Sequence, residues 1–289
     1  MFALARWLSR RPLWLLHGVG AALGWLAYAC SPSYRHRFVG NARQAGVSAA
    51  AARPAIAQAG RAIMEMPYLW LRPANQRIAP EPQLIGTELV EAAHARGRGI
   101  VFLTPHLGCF EITAQAIAQH YAAQHGPITV LYRPARATVL RDLMDRTRAR
   151  PGLATAPATL AGVRQLLRAL RRGESVGLLP DQVPPEGMGV WAPFFGKPAY
   201  TMTLAARLVQ QTGAVPLLVW GERLGAGRGF TVHFLPFDEA LPADPQAQAE
   251  SAAAVNLAMQ RLILKCPEQY LWGYHRYKRP RGADDAGTD

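Results

Sequence analysis

The stretch "IVFLTPHLGCFEITAQ", Ile100 to Gln115, decides the fold. Its first residues are a continuous apolar run, short enough for a strand with both faces covered and too short for a helix. Pro105 and Gly108 turn the chain, and helical spacing takes over from Cys109. A strand that runs through a tight turn into a helix is the unit of an α/β sheet.

The same alternation continues outward from it. "GIVFLT", "ITVLYRP" and "SVGLLPDQ" read as strands, and "CFEITAQAIAQHYAA", "ATVLRDLMDRTRAR" and "LAGVRQLLRALRRG" read as helices. A loop around "PPEGMGVWAPFFGKP" follows, then a helix from Thr201 to Gln211, strands "AVPLLVWGERL" and "FTVHFLPF", and a helix from Gln246 to Lys265. Before them, Ala49 to Leu71 has helical spacing and ends near a proline. The expected class is α/β: a mainly parallel or mixed central sheet flanked by helices, with a hydrophobic membrane-anchoring helix at the amino terminus. Sites in such sheets gather at the carboxyl ends of strands. His106, Arg133 and Asp181 all stand where an apolar strand gives way to loop or helix.

The anchor is read from the first thirty residues. Arg6, Arg10 and Arg11 precede an 18-residue stretch, Pro12 to Ala29, in which His17 is the one titratable side chain before Tyr28. Roughly 17 to 25 residues cross a bilayer as a helix, so a span is at its lower limit. Trp7, Trp14 and Trp25 fall on one helical face, and with Arg35, Arg37 and Arg43 following, a helix lying in the interface fits equally. Two other readings stay open. Ala27-Tyr28-Ala29 resembles a signal cleavage site, although the apolar run exceeds the usual length of about 7 to 15, and a buried core helix has the same composition. The expected division is 1–30 as anchor or interfacial helix, 31–281 as the main domain with 31–80 a helical preface, and 282–289 as a disordered tail.

Length and composition set outer limits. The chain has 289 residues, 50% of them hydrophobic, enough for one large or two small domains. A formal charge of +13 favours anionic partners. Cys30, Cys109 and Cys266 are odd in number and widely spaced with no C-x-x-C pair, which indicates neither a disulfide framework nor a zinc site and suits a reducing compartment. The chain lacks a G-x-G-x-x-G fingerprint after a strand, a P-loop, a G-x-S-x-G elbow and H-E-x-x-H.

His106 and Glu111 form an H-x4-[D/E] spacing, of which chance supplies roughly 0.5 of a match in a chain with 8 histidines and 19 acidic residues. A second match, His233 to Asp238, lies in "TVHFLPFD", where strand alternation points the two side chains apart. The first match lies across a strand-turn-helix junction. There a carboxylate suits the positive helix end, can orient an imidazole, and the imidazole can take a proton from a hydroxyl.

"PHLGCFE", "YRP", "LLPDQ", "GVWAPFFGKPAYT" and "WGYHRYK", in that order, resemble the lipid A biosynthesis acyltransferases, the late lauroyl and myristoyl transferases, within the wider H-x4-[D/E] glycerolipid acyltransferases. The likeness runs from the amino-terminal segment to about Lys278. Cys109 and Phe110 stand where asparagine and tryptophan are frequent, a departure that bears on fine specificity. The resemblance implies transfer of a fatty acyl chain from an acyl carrier protein thioester, or acyl-CoA, to a glycolipid hydroxyl at the cytoplasmic face of the inner membrane. It implies His106 as general base and Glu111 as the group that holds its tautomer. Arg133 would bind a phosphate or help an oxyanion, Asp181 would position Arg133 or line the cleft, and Gln182 would contact substrate. Phe194, Phe195 and Gly196 would wall an acyl groove, with Tyr200 and Thr201 at a helix start suited to an anion. His275, Arg276, Lys278, Arg279 and Arg281 would form a basic aromatic patch for lipid phosphate or carrier protein.

The expected partners are acyl carrier protein, a glycolipid acceptor and membrane lipids, with no metal, no tightly bound cofactor and no nucleic acid; oligomeric state is not legible. Cys109 offers a rival nucleophile. Another acceptor, such as a mannosylated phosphoinositide, an aminolipid or a lysophospholipid, would suit the same motifs. From another class, the basic charge would suit a binding module for nucleic acid or a membrane surface.

Overall fold

Two runs without a polar alternation, Ile100–Leu103 and Ser175–Leu178, are buried at every position in the computed structural model, as strands covered on both faces must be. The structure describes residues 2–73, 76–132, 150–280 and 282. In chain order the elements are α1 (Phe2–Leu8), α2 (Leu13–Cys30), α3 (Pro32–Gln44), α4 (Ala49–Ala52), α5 (Ala55–Trp70), β1 (Gln83–Ile85), α6 (Thr87–Ala95), β2 (Ile100–Leu103), α7 (Phe110–His125), β3 (Ile128–Tyr132) and β4 (Leu153–Pro157). They continue as α8 (Leu160–Arg171), β5 (Ser175–Leu178), β6 (Gly189–Phe194), β7 (Lys197–Met202), α9 (Leu204–Thr212), β8 (Val215–Arg223), β9 (Phe230–Pro236) and α10 (Gln248–Ile263).

Seven strands form one sheet in the order β1-β9-β8-β2-β5-β3-β4. From β8 to β4 every pairing is parallel; β9 runs antiparallel to β8, and β1 is parallel to β9. The sheet is therefore mixed and mostly parallel, flanked by helices. Strand alternation divides the core. Phe102 and Ile128 face α7, packing with Ile112, Ala116 and Ile117. Val101, Val176 and Leu178 face the other way, toward α8, α9 and α10, with Leu166, Leu208 and Met259. The helix expected over "ATVLRDLMDRTRAR" and the tail beyond Gly282 lie outside the described residues.

The segment expected as a plain loop around "PPEGMGVWAPFFGKP" contains a hairpin. β6 pairs antiparallel with β7, joined by Phe195 and Gly196 in the left-handed conformation that two-residue hairpin loops require. Tyr200 and Thr201 consequently lie on β7, not at a helix start, and the helix after them begins at Leu204.

α2 docks on one side only. Where Gly20 and Gly24 meet α5 at Gly60, an added Cβ on Gly60 would lie 1.9 Å from the Gly20 carbonyl oxygen. Small residues there let two helix backbones touch. Away from that contact α2 leaves Trp14 62% exposed, with Leu23, Trp25 and Leu26 also exposed. By length and composition α2 is a candidate membrane anchor.

Gly60→Val should push α2 off α5 at a cost of about 1–3 kcal/mol, the usual range for overpacking. Chemical denaturation of the detergent-solubilised chain measures the loss, and unchanged stability would show that the contact contributes nothing.

Candidate functional site

The register of β2 against β5 assembles the site. Leu103 pairs with Leu178, and Thr104 donates its backbone N–H to the Leu178 carbonyl at 3.1 Å. Three residues beyond that pair on each strand come His106 and Asp181. The Asp181 carboxylate accepts the His106 backbone N–H at 2.9 Å with Oδ2 and meets the ring Nδ1 at 2.7 Å with Oδ1. Tyr270 donates its hydroxyl to Oδ2 at 3.3 Å. A carboxylate at Nδ1 keeps the ring proton there and leaves the lone pair on Nε2, to which the Gln182 amide donates at 3.0 Å.

Asp181 is 2% exposed. Burial pushes its carboxyl up, but the charge and hydrogen bonds of His106, with the charge of Arg276, outweigh burial and hold it below the ordinary carboxylate range. The turn that presents His106 is tied down residue by residue. The Gly108 N–H donates to the Gln269 carbonyl at 3.0 Å, the Cys109 N–H to Gly221 at 2.8 Å, and Leu271 donates to the His106 carbonyl at 3.2 Å. Gly108 has φ of 60°, and a Cβ there would lie 2.0 Å from the Gly221 oxygen, so only glycine fits.

His106 and Gln182 line a cavity of about 590 Å³ at the carboxyl ends of β2, β3 and β5. Its walls are mostly apolar, among them Phe102, Phe110, Ile117, Val130 and Leu208, and Gly177 contributes no side chain. Glu111, in the first turn of α7, lines the same cavity, as does Arg207 of α9.

This arrangement corrects several expectations. The group at His106 Nδ1 is Asp181, whereas Glu111 was expected to hold the ring and Asp181 to serve Arg133 or the cleft wall. Phe194, Phe195, Gly196, Tyr200 and Thr201 do not line the cavity. Phe195 packs its ring toward Trp272, at 6.3 Å, while Gln44 and Gln260 bond the backbone of the turn. The Tyr200 hydroxyl accepts the N–H groups of Gly187 and Gly189, and the Thr201 hydroxyl accepts from Arg276 at 2.7 Å. Arg276 is therefore a buried strut, not part of a surface patch. Arg133 and Arg281 lie outside the described residues. The buried Cys109 thiol is pushed well above its ordinary value, first by burial and then by the charge of Glu65, which makes it a poor nucleophile. His233 meets Glu222 at 2.8 Å and Asp238 meets Arg261 at 3.2 Å, so the second H-x4-[D/E] match forms no pair.

Sequence reasoning missed a buried ionic group under the turn. Arg223, at the end of β8, donates to both carboxylate oxygens of Glu65 on α5 and to the Gly108 carbonyl at 3.0 Å. His17 of α2 meets the same carboxylate at 2.6 Å. Burial would raise the Glu65 pKa, but Arg223 and His17 outweigh it and bring it down to about 2. A lone arginine at a strand end carried no signal of this without the pairing of β8 beside β2.

The family of bacterial lipid A biosynthesis acyltransferases matches residues 39–279. The lipid A biosynthesis lauroyltransferase of Escherichia coli K12 is 29% identical over 226 residues, 77% of this chain and 70% of that protein. The lipid A biosynthesis palmitoleoyltransferase of the same organism is 26% identical over 225 residues, with the same shares. A lipid A biosynthesis acyltransferase of Haemophilus influenzae is 28% identical over 200 residues, 69% of this chain and 60% of that protein.

Glu65 predicts a sign for acid unfolding. Its folded pKa is depressed, so its stabilisation is full above the ordinary glutamate range and is lost as pH falls toward about 2. Glu65→Gln should cost about 3–5 kcal/mol at neutral pH, because it leaves Arg223 buried and unanswered, and should flatten the acid limb of a stability–pH curve. An unchanged acid limb would show that the pair does not set it.

Proposed function

The chain belongs to the bacterial lipid A biosynthesis acyltransferases and is an acyltransferase enzyme, and from that premise we propose how its residues do the chemistry. The donor is a fatty acyl thioester on acyl carrier protein or coenzyme A, and the acceptor is a hydroxyl of a lipid A precursor. His106 is the general base and Asp181 its positioning residue. The observation that carries this reading is the buried carboxylate at Nδ1, which leaves the Nε2 lone pair on the wall of a largely apolar cavity.

In the reaction the acceptor hydroxyl takes the place of the Gln182 amide at Nε2. Its oxygen attacks the thioester carbonyl while its proton passes to Nε2. Asp181 stabilises the imidazolium that forms. Collapse of the tetrahedral intermediate breaks the C–S bond, and the leaving sulfur takes the proton back, so the enzyme ends unchanged. The acyl chain occupies the space beside Phe102, Ile117 and Val130, where burial of each CH₂ contributes about 0.8 kcal/mol. Arg207 offers a guanidinium in that wall to a phosphate of donor or acceptor, and Glu111 supplies a second carboxylate against the imidazolium. Arg133 retains its proposed phosphate-binding role from the motif alone. The exposed apolar side of α2 fits a catalytic domain held on the cytoplasmic surface of the inner membrane, and the chain's positive charge fits an acidic carrier protein. No bound metal or cofactor is required by these steps.

Acyl transfer by the purified full chain tests the reading, with lauroyl and myristoyl carrier protein as donors and a lipid A precursor as acceptor. His106→Ala and Asp181→Asn should each lower kcat by at least about 10²-fold, with little change in KM for the carrier protein and thermal unfolding that shows folded protein. Cys109→Ala should stay within about tenfold of wild type, far short of the loss that removing a nucleophile causes. If Asp181→Asn keeps the wild-type kcat, another carboxylate orients the ring, and Glu111 in the same cavity takes that role. If wild type acylates a lysophospholipid or another glycolipid but not the precursor, the acceptor assignment is overturned.

A further inference from the structure

Among the described residues, three arginines near the start of the chain have no acidic partner. Arg6, Arg10 and Arg11 form one side of a cavity of about 750 Å³, and Arg72 and Arg77 form part of the other. No carboxylate among the described residues lines it. Arg77 shares Glu81 at 3.3 Å, in an exposed pair. Arg72 donates to the Leu69 and Gln76 carbonyls and, at 2.6 Å, to Gln115. Among the described residues no carboxylate pairs with Arg6, Arg10 or Arg11. Arg11 lies over the Trp7 ring at 4.6 Å, yet its Nε is buried without a hydrogen-bond partner.

Guanidinium groups gathered around one space repel one another, and a buried donor left unmade is costly; an anion relieves both. Burial, followed by the charge of Arg150, lowers the Arg72 pKa to about 10. The position of the cavity narrows the anion. Pro12 leads directly from it into α2, which leaves Trp14, Leu23 and Leu26 exposed, and Trp7 is exposed on α1. Tryptophan and arginine together at the end of an apolar helix face mark the depth of lipid headgroups. Phosphate oxygens at that depth match the forked N–H groups of arginine.

We propose that the arginine-lined cavity between the α1–α2 junction and the end of α5 binds the phosphate of an anionic membrane lipid headgroup. The site is separate from the acyl-transfer reading, and its test measures no acyl transfer.

Full-length protein depleted of detergent is floated with vesicles of phosphatidylcholine, of phosphatidylcholine with phosphatidylglycerol, or of phosphatidylcholine with cholesteryl hemisuccinate at equal negative charge. Wild type should prefer the phosphatidylglycerol vesicles over phosphatidylcholine by on the order of a hundredfold for three arginines, and over the carboxylate lipid as well. The triple change Arg6→Gln, Arg10→Gln, Arg11→Gln should abolish that preference. The triple change Arg164→Gln, Arg168→Gln, Arg171→Gln removes equal charge from the exposed side of α8 and should retain it. Equal losses in both triple variants, or no discrimination between phosphate and carboxylate lipids, would reduce the effect to bulk charge and overturn the site. Inorganic phosphate at constant ionic strength should leave vesicle binding within about twofold; displacement to the level of the first triple variant would make this a free-phosphate site and overturn the lipid assignment.

Discussion

An arginine sealed from water needs its N–H groups answered, and the pairing of Arg223 with the Glu65 carboxylate is the contact on which the rest of this structure depends. Arg223 ends a strand of the central sheet, Glu65 sits on α5, and His17 of α2 meets the same carboxylate. The remaining donors of Arg223 reach Gln58 and the carbonyl of Gly108, two residues from His106. Through the Glu65 carboxylate one guanidinium therefore joins the sheet, the helical preface, the candidate anchor and the turn that carries His106. Displacing α2 from α5 disturbs the network that fixes the Gly108 carbonyl, so the apolar amino terminus is coupled to the site mechanically as well as by proximity.

Within that frame a parallel sheet does the positioning. Adjacent strands β2 and β5 end level with each other, so loops of equal offset bring His106 and Asp181 together without a long side-chain reach. The backbone N–H of His106 and its ring nitrogen are held by one carboxylate, which fixes ring position and tautomer together. The crossing segment at Gln269 and Leu271 holds the other side of the turn. Rigidity of this kind is needed where a proton transfer tolerates displacements of only a fraction of an ångström.

What was legible in the sequence follows from the same physics. Buried parallel strands read as unbroken apolar runs, so "GIVFLT" and "SVGLLPDQ" announced themselves, and with them the strand ends that carry His106 and Asp181. Which strands are neighbours is not written in either run. Proximity in sequence therefore points to Glu111 as the ring partner, whereas strand register places Asp181 there. The β6–β7 hairpin was hidden because Pro193 and Pro198 interrupt both strands at one paired position and aromatic residues crowd its turn. Those aromatics, read as a groove wall, instead pack on the carboxyl-terminal segment at Trp272 and Tyr277. Arg276 looked like surface charge because nothing in "WGYHRYK" shows that it turns inward to Tyr200 and Thr201.

The Gln182 contact gives the proposed mechanism a property that the catalytic pair alone lacks. An imidazole held with its lone pair open would serve water as readily as the acceptor hydroxyl, and a bound thioester would be hydrolysed. With Gln182 donating to Nε2, the base is engaged until a group of similar geometry displaces the amide. A water molecule making that exchange recovers one hydrogen bond and little else. An acceptor lipid brings the burial of its apolar portion as well, at about 25 cal/mol per Å² of surface removed from water. In the proposed mechanism selection against hydrolysis then comes from burial of the acceptor's apolar portion, and the amide converts that burial into access to His106 Nε2.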